Sequence, residues 1–274
     1  MTEKIHIDLG NVQKTLFLPL WGRAHESQKE KPLLIDHTAQ ALVEKVDFDF
    51  TPLAAKLSPL VQLAWIMRSL YTDRIITNYL VRFPQAAVVN IGCGLDTTFE
   101  RVDNGLLTWY DLDLPDVIDL RRKLIPESER RKFISASFLE AGWYQEISHI
   151  GHALFIAAGV FYYFDVDDIR RFFLCLADRY PGSEILFDAN SPLGVKVANK
   201  RVIQDSGLDQ KSFLKWGLKS PEAILAWDKR FQLLHSLYYY RGNRRLFTFN
   251  VWLMGVFSDW LKIQYMLHLG FGSL

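Results

Sequence analysis

The sequence predicts an α/β fold built on a doubly wound, Rossmann-like sheet of seven strands. Three observations predict it: short apolar runs alternate with helical segments, the first run ends in a glycine turn, and two more strands follow five parallel ones. The chain has 274 residues, of which 49% are hydrophobic and 23% charged, as suits a globular protein with a large core. We expect one domain over residues 1–274.

Residues 1–84 are expected to form a helical N-terminal arm. Periodicity is weak over residues 1–40, where proline and charged residues favour an irregular stretch with short helices. From Ser58 to Phe83 apolar side chains recur at helical spacing, and Pro84 ends that helix. The arm therefore precedes the first strand of the sheet.

Five parallel strands are predicted after Pro84, because apolar runs of strand length alternate there with helical segments. The predicted strands span 86–91, 106–112, 132–138, 153–161 and 183–188. The helical segments between them span 115–125, 142–147 and 166–180. Crossovers of this kind are right-handed and cover both faces of a parallel sheet.

The C-terminal part follows another pattern. Residues 190–220 fit neither a strand nor a crossover helix, and we expect them to be an inserted cap. The later segments are predicted as a helix, a strand, a second helix and a last, antiparallel strand, at 221–229, 231–240, 246–260 and 262–269. Such a pair after five parallel strands favours a seven-stranded sheet.

The first predicted strand runs into a glycine turn, Gly92-Cys93-Gly94. Glycines let a ligand approach the backbone, and ligands of open parallel sheets bind at the carboxyl ends of the strands. The second strand ends with Asp111 and Asp113, which lie on one face because side chains alternate along a strand. Either carboxylate could accept hydrogen bonds from a ribose. Alternatively, Asp113 could cap the helix that begins at Pro115.

Asp96 distinguishes between two nucleotide cofactors. The dehydrogenase fingerprint has a third glycine and places a pyrophosphate on the helix N-terminus, but Thr97 occupies the third position here. A carboxylate at Asp96, in the first helical turn, would repel a pyrophosphate. It suits a phosphate-free cofactor with a cationic end, and a nicotinamide dehydrogenase is the less favoured alternative.

The composition argues against several other classes of partner. A net charge of +1 gives no case for nucleic acid, and the short basic clusters are expected to be solvated helix faces; they span 121–123, 130–132 and 244–245. Cys93 and Cys175 are too scattered for a zinc site or a disulfide framework, so no metal is expected. Without a signal peptide or an apolar run of about 20 residues, we expect a cytoplasmic protein with no membrane partner.

The order of motifs resembles one known family. The segments 90–101, 110–115 and 121–123, with others between about residues 15 and 190, are similar to the leucine carboxyl methyltransferase family. Within it they look most like the bacterial O-methyltransferases of polyketide synthesis. The resemblance implies the class I methyltransferase fold and S-adenosylmethionine as cofactor, with S-adenosylhomocysteine as the product.

The resemblance also implies roles for individual residues. Arg68, on the helix before the first strand, would meet the cofactor carboxylate; a salt bridge to Asp73 or Glu44 is the alternative. The other cofactor contacts that it implies are Gly92 and Gly94 at the methionine part, Asp96 at the ammonium group or loop, Asp111 and Asp113 at the ribose, and Ser137 and Phe138 at the adenine. Asn90 and Ala158 are further expected cofactor contacts. Many relatives have glutamate where this chain has Ala158, so lapsed catalysis is an alternative.

The acceptor side is less defined by the sequence. Tyr162 and Tyr163 would wall the acceptor pocket, or else pack in the core, and Arg23 is a further pocket candidate. No catalytic base is assigned, because a carboxylate acceptor needs none and no histidine is well placed; the histidines considered are His37, His149, His152 and His235. The sequence predicts methylation of a carboxylate or hydroxyl oxygen on a small or polyketide-like molecule, with oligomeric state left open.

Overall fold

The centre of the protein is a seven-stranded sheet. The structure, a computed structural model, describes residues 11–54, 59–147, 151–200 and 213–272. Its strands are β1 (Ala87–Ile91), β2 (Thr108–Asp113), β3 (Arg131–Ser135), β4 (Ala153–Ala157), β5 (Glu184–Ala189), β6 (Phe231–Leu237) and β7 (Tyr265–Phe271). Their order is β3-β2-β1-β4-β5-β7-β6.

Strands β1 to β5 pair in parallel, whereas β7 runs antiparallel to both of its neighbours, β5 and β6. This confirms the predicted α/β sheet with an antiparallel last strand. Every residue of β1, β4 and β5 is buried, as expected of parallel strands that are covered on both faces.

Helices cover the sheet and precede it. They are α1 (Asn11–Ser27), α2 (His37–Lys45), α3 (Thr51–Ala54), α4 (Pro59–Arg82), α5 (Thr98–Val102), α6 (Pro115–Leu124), α7 (Val166–Arg179), α8 (Pro192–Ala198) and α9 (Phe249–Trp260). None of the helices in the described ranges is long and apolar enough to cross a membrane. The helical N-terminal region is confirmed.

The arm is more regular than the sequence predicts. Helix α1 is 17 residues long although Pro19 lies inside it, where the irregular stretch was expected. Proline weakens a helix by removing one backbone bond, but tertiary packing offsets this cost. Phe17, Leu20 and Ala24 are buried against α2 and the loop after β1.

Several predicted strands are too long at their carboxyl ends. Strand β3 ends at Ser135 and not at residue 138, and β4 ends at Ala157 and not at residue 161. After β4 the chain turns at Gly159, whose φ is +87°, and residues 161–163 form a 3₁₀ helix. The predicted helices at 142–147 and 221–229 are also 3₁₀ helices, Gly142–Gln145 and Pro221–Trp227.

Aromatic side chains fill the core on one face of the sheet. Phe161, Phe173 and Phe187 meet edge to face, with ring centroids 5.2–5.5 Å apart. Phe173 lies on the buried side of α7, and Phe187 comes from β5. The high aromatic content of the sequence is thus largely core packing, and it positions the carboxyl ends of β4 and β5.

Candidate active site

The strand order reverses between β1 and β4, and the candidate site lies at the carboxyl ends of these two strands. Such switch points form the ligand crevice in open α/β sheets. Gly92 and Gly94 follow β1 with φ values of +60° and +48°, in the left-handed region that favours glycine. A Cβ atom on Gly92 would lie 2.5 Å from Cγ2 of Val160, which follows β4. Glycine at position 92 therefore lets the two strand ends come together.

Arg121 supports this glycine loop by hydrogen bonds to its backbone. Its side chain is fully buried, and it donates to the carbonyl oxygens of Gly94 and Asp96 at 2.7 and 2.8 Å. It also forms an ion pair with Asp111 at 2.9 Å. Burial lowers the pKa of Arg121, but Asp111 and the other negative groups near it, Asp96 among them, together outweigh burial and raise it, so the guanidinium stays charged.

Asp111 is the centre of a buried charge network. One carboxylate oxygen accepts from Arg121 and Arg131, and the other from the Trp109 indole at 2.8 Å and the Asn90 amide at 3.2 Å. Because these donors occupy both oxygens, Asp111 holds the loop together. The prediction that the basic clusters are solvated is wrong for Arg121 and Arg131, which are buried because Asp111 pairs with both.

Asp113 occupies a different position, half-buried at the end of β2. Its Oδ2 accepts from the backbone N–H of Gly94 at 2.8 Å, and its Oδ1 accepts from that of Leu114 at 2.8 Å. The N-cap residue of α6 is Leu114, so the alternative role of Asp113 as a helix cap is wrong. Burial raises the pKa of Asp113, against the effect of the two N–H donors.

Asp96 and Asn90 cross-link the loop itself. Asn90 donates to the carboxylates of Asp96 at 3.1 Å and of Asp111 at 3.2 Å. Asp96 also accepts from the backbone N–H and hydroxyl of Thr98, at the start of α5. Burial raises its pKa, but the positive charges of Arg23, Arg101 and Arg121 outweigh burial and lower it overall. Asp96 is therefore an ionised carboxylate at neutral pH.

Arg23 joins the N-terminal arm to the loop. It donates to Asp36 at 3.0 Å and to the carbonyl oxygen of Leu95 at 3.0 Å, and it is buried. Asp36 also accepts from Arg101 at 2.6 Å and from Thr97 at 2.6 Å. The structure thus puts Arg23, a predicted pocket residue, against the glycine loop, where its contacts support the backbone.

Arg68 pairs with neither of the partners considered from the sequence. Its Nη1 lies 3.0 Å from Oδ2 of Asp188, at the end of β5, whereas Asp73 is held by Arg101. Asp188 also accepts from the backbone N–H of Gly159 at 2.6 Å and from Gln264 at 2.8 Å. Arg68 and Asp188 therefore lie beside the turn that follows β4.

Sequence reasoning missed Asp188 and two further buried polar residues: Tyr239, which interacts with both charges of this ion pair, and Asn190, which follows β5. Tyr239 and Asn190 are buried, and the Tyr239 hydroxyl and the Asn190 Oδ1 have no hydrogen-bond partner within the described ranges. Burial raises the pKa of Tyr239 well above its ordinary value, so the hydroxyl is a donor at neutral pH. Asp188 could have been found as a carboxylate that ends a predicted strand. Tyr239 could not have been found in this way, because it follows β6 and the sequence does not specify which strand β6 pairs with.

Tyr162 and Tyr163 follow β4 and contact the segment after β5. Tyr162 is buried with Leu214, and a small apolar cluster packs around them, made of Tyr163, Val195, Ala198 and Phe213. The backbone N–H groups of Lys215 and Trp216 donate to the Tyr162 carbonyl oxygen at 2.6 and 3.1 Å. The described parts of the predicted cap, residues 190–200 and 213–220, thus reach the tyrosines.

The remaining predicted residues flank the crevice. Ser137 is half-buried after β3, and its hydroxyl accepts from the N–H of Leu139 at 3.3 Å. The ring of Phe138 packs edge to face against Phe161 in the core. Ala158 lies half-buried directly before Gly159. Across the described ranges, no three histidine, cysteine or acidic side chains form a group that could hold a metal ion. His149 lies outside those ranges.

Comparisons with known proteins agree with this arrangement. TcmP, the tetracenomycin polyketide synthesis O-methyltransferase of Streptomyces glaucescens, is 28% identical over 220 residues, 80% of this chain and 79% of its own. The S-adenosyl-L-methionine-dependent methyltransferase dpfgK of Gibberella zeae is 23% identical and aligns with 98% of this chain and 97% of its own.

Solved structures share the fold at low identity. A DUF574 family protein of Streptomyces avermitilis superposes with a TM-score of 0.57 at 10% identity, covering 92% of this chain and 97% of its own. The plantazolicin methyltransferase BpumL, solved with a desmethylPZN analog and SAH, has a TM-score of 0.50 at 12% identity, with coverage of 97% and 100%.

A family model described as leucine carboxyl methyltransferase matches residues 17–177, more than half of the chain, including α4, the glycine loop and β1 to β4. The chain therefore belongs to the leucine carboxyl methyltransferase family, and this confirms the predictions of a methyltransferase and of S-adenosylmethionine as its methyl donor.

Proposed function

We propose that the protein transfers a methyl group from S-adenosylmethionine to a carboxylate or hydroxyl oxygen of a small, polyketide-like molecule. One observation carries the cofactor part: Asp113, half-buried at the carboxyl end of β2, is fixed by the Gly94 N–H at 2.8 Å beside the glycine loop. The acceptor class rests on the relatedness to TcmP, a polyketide O-methyltransferase.

The charges around the loop fit the proposed cofactor. Asp96 and Asp113 bring negative charge to the crevice, which suits a cofactor with a sulfonium and an ammonium group. Arg23, Arg101 and Arg121 are each bound by a carboxylate of this chain, so they do not form a phosphate site. We assign the ribose to Asp113, because it is half-buried with one donor on each oxygen, whereas Asp111 is fully buried and each of its oxygens accepts from two residues of this chain.

We assign further cofactor contacts by position. Gly92 and Gly94 offer backbone that a ligand can approach, Ser137 lies beyond β3, and Arg68 lies beside the turn after β4. Arg68 would bind the cofactor carboxylate while Asp188 holds its Nη1 atom. The Phe138 ring is committed to the core, so its backbone would make the contact.

The acceptor would lie between the turn after β4 and the described parts of the segment that follows β5. Tyr162, Tyr163 and Leu214 supply an apolar wall, as a polyketide-like acceptor requires. The hydroxyl of Tyr239 is buried without a partner in the described ranges, and it would donate a hydrogen bond to the acceptor.

The reaction needs positioning more than proton transfer. When bound, the cofactor supplies a methyl group on a positively charged sulfur, which makes it open to in-line attack by oxygen. The tyrosine-lined wall would orient the acceptor oxygen and exclude water, which is the competing nucleophile. A carboxylate acceptor is already ionised at neutral pH, so this chain needs no base for it.

Calorimetric titration of S-adenosylhomocysteine tests the cofactor site. Asp113→Ala and Arg68→Lys should each weaken binding by about tenfold or more, because each removes a hydrogen bond to or from a charged group. Asp119→Ala, an exposed aspartate on α6, is the matched control and should leave the affinity unchanged. Unchanged affinity in both site variants would overturn the assigned position of the cofactor.

A panel of carboxylic acids and polyketide phenols tests the acceptor. Mass spectrometry of reactions with S-adenosylmethionine should detect an O-methylated product, and Tyr239→Phe should lower its rate of formation. Alanine at position 158, where many relatives have glutamate, favours one alternative, a protein that binds the cofactor without turnover. Tight S-adenosylhomocysteine binding with no methylated product across the panel would support that alternative.

A further inference from the structure

Helix α9 has apolar side chains on both its inner and its outer side, and its polar residues are Asn250, Ser258 and Asp259. On its inner side Val251, Trp252 and Val256 pack against the cluster formed with α4. Gly255 lies so close to Tyr240 that an added Cβ would be 2.2 Å from the ring. The inner side is therefore fully used by packing within this chain.

The outer side of α9 is also apolar, yet it is exposed. Its large side chains are each 53–73% exposed, and they are Phe249, Leu253, Met254, Phe257 and Trp260. At 100° per residue, positions 249, 253, 257 and 260 fall on one narrow stripe, and Met254 widens it. We call these five residues the α9 stripe.

A stripe of this kind points to a partner. Contiguous apolar patches on a protein surface mark contact sites. The stripe lies beyond residues 17–177, the part of the chain that the family model matches. It is therefore a feature of this chain that its family membership does not explain.

Positive charges border the stripe at both ends. Arg241, Arg244 and Arg245 precede α9 and are exposed, and Lys262 follows it. Asp259 is the one acidic residue in the sequence from 241 to 262. It is buried, and it accepts from the backbone N–H groups that precede α9, those of residues 239, 240 and 241. The surface of this segment is thus apolar and cationic.

This charge pattern favours a lipid surface over a second copy of the chain. In a two-fold dimer on α9, the cations at the two ends would face each other, and the exposed carboxylate near Lys262, that of Glu222, could balance only one of the four. Anionic lipid headgroups would pair with Arg245 and Lys262 while acyl chains receive the stripe. Trp260, at the end of the stripe, has the amphipathic ring that suits a membrane–water interface.

We propose that α9 binds the surface of an anionic lipid bilayer, with the α9 stripe in the acyl region and the flanking cations at the headgroups. This is a contact along the surface, and it differs from the expectation from sequence that the protein has no membrane partner. It would bring the protein to apolar acceptors that partition into lipid.

Vesicle sedimentation tests the proposal. The wild-type protein should sediment with vesicles of phosphatidylcholine mixed with phosphatidylglycerol, and added salt should weaken the binding. The double variant Leu253→Glu with Phe257→Glu should bind at least about tenfold more weakly, because it removes two apolar side chains from contact with lipid. Val81→Glu is the matched control, since Val81 is equally apolar and 77% exposed on α4.

Each outcome decides the question. Binding to the anionic vesicles that Val81→Glu retains and the double variant loses would support the proposal, with equal melting temperatures to show that both variants fold. If the wild type bound vesicles of phosphatidylcholine alone as strongly as the anionic vesicles, the proposed role of the cations would be overturned. No sedimentation, with a dimer in light scattering that the double variant abolishes, would overturn the proposal in favour of a second copy.

Discussion

The Nη1 atom of Arg68 lies 3.0 Å from Oδ2 of Asp188, although the two residues are 120 positions apart in the chain. The pair joins α4, which precedes the sheet, to the end of β5. Because Asp188 also accepts from the N–H of Gly159, one carboxylate fixes both the arginine and the turn after β4. Four predictions follow from this pair and from the loop beside it.

Removing the carboxylate should destabilise the protein and loosen the site. Asp188→Ala leaves the buried guanidinium of Arg68 without its partner, and we expect the free energy of unfolding to fall by about 3 kcal/mol. The double variant Arg68→Met with Asp188→Leu should recover part of that loss, because no buried charge is left. Its affinity for S-adenosylhomocysteine should still be lower than that of the wild type by about tenfold or more. Urea denaturation and calorimetry give the two measurements, and equal stability of both variants would contradict the argument.

The two aspartates of β2 should separate into a structural and a binding role. Asp111→Ala removes the carboxylate partner of buried Arg121 and leaves buried Arg131 with Glu100 alone, and it should lower the free energy of unfolding by about 3 kcal/mol or more. Asp113→Ala should lower it by about 1 kcal/mol, the worth of its hydrogen bonds, while binding of S-adenosylhomocysteine weakens about tenfold. Denaturation curves and titrations on both variants check this, and a larger stability loss in Asp113→Ala would reverse the assignment.

Two features of position 92, its positive φ and its closeness to Val160, should each require glycine, and their effects on stability can be measured separately. Gly92→Ala combines a positive φ with a contact of 2.5 Å to Val160, so we expect a loss of about 3 kcal/mol or more. Gly105→Ala has a positive φ and open space, and should lose about 1 kcal/mol. Gly142→Ala has neither constraint and should be neutral. A melting-temperature series in a different order would contradict this account.

The charge of Asp96 should contribute to stability in a way that depends on pH. Its pKa in the folded protein lies below the ordinary value of 3.8, because burial, which raises it, is outweighed by Arg23, Arg101 and Arg121. The contribution is therefore complete above pH 3.8 and is lost as the pH falls through the folded value. The difference in unfolding free energy between the wild type and Asp96→Asn should therefore shrink as the pH falls through the pKa of Asp96 in the folded protein. Asp119→Asn is the control, and a constant difference would refute the prediction.

Local signals in the sequence predicted the sheet and the glycine loop. Apolar runs of strand length, the turn at Gly92 and Gly94, and the carboxylates at the end of β2 are all encoded within short segments. Strand ends were less well predicted, because the turn at Gly159 interrupts an apolar run that continues through Phe161.

Contacts between distant segments could not be predicted. Arg121 and Arg131 look like solvated cations because the sequence does not reveal that Asp111 lies opposite both of them. The same holds for Arg68, whose partner comes from β5. The helix across Pro19 was missed because local propensity disfavours it, whereas packing of the arm against the loop favours it.

The position of β7 has a consequence for the order in which the protein can fold. Strand β7 lies between β5 and β6, although it is the last strand along the chain. During synthesis, the edge of β5 that pairs with β7 therefore stays unpaired until residues 265–271 have been made. An apolar edge left open in this way is prone to pair with other chains. Expression conditions that slow translation just before residues 265–271 are made should therefore increase aggregation, and a chaperone that shields strand edges should relieve it.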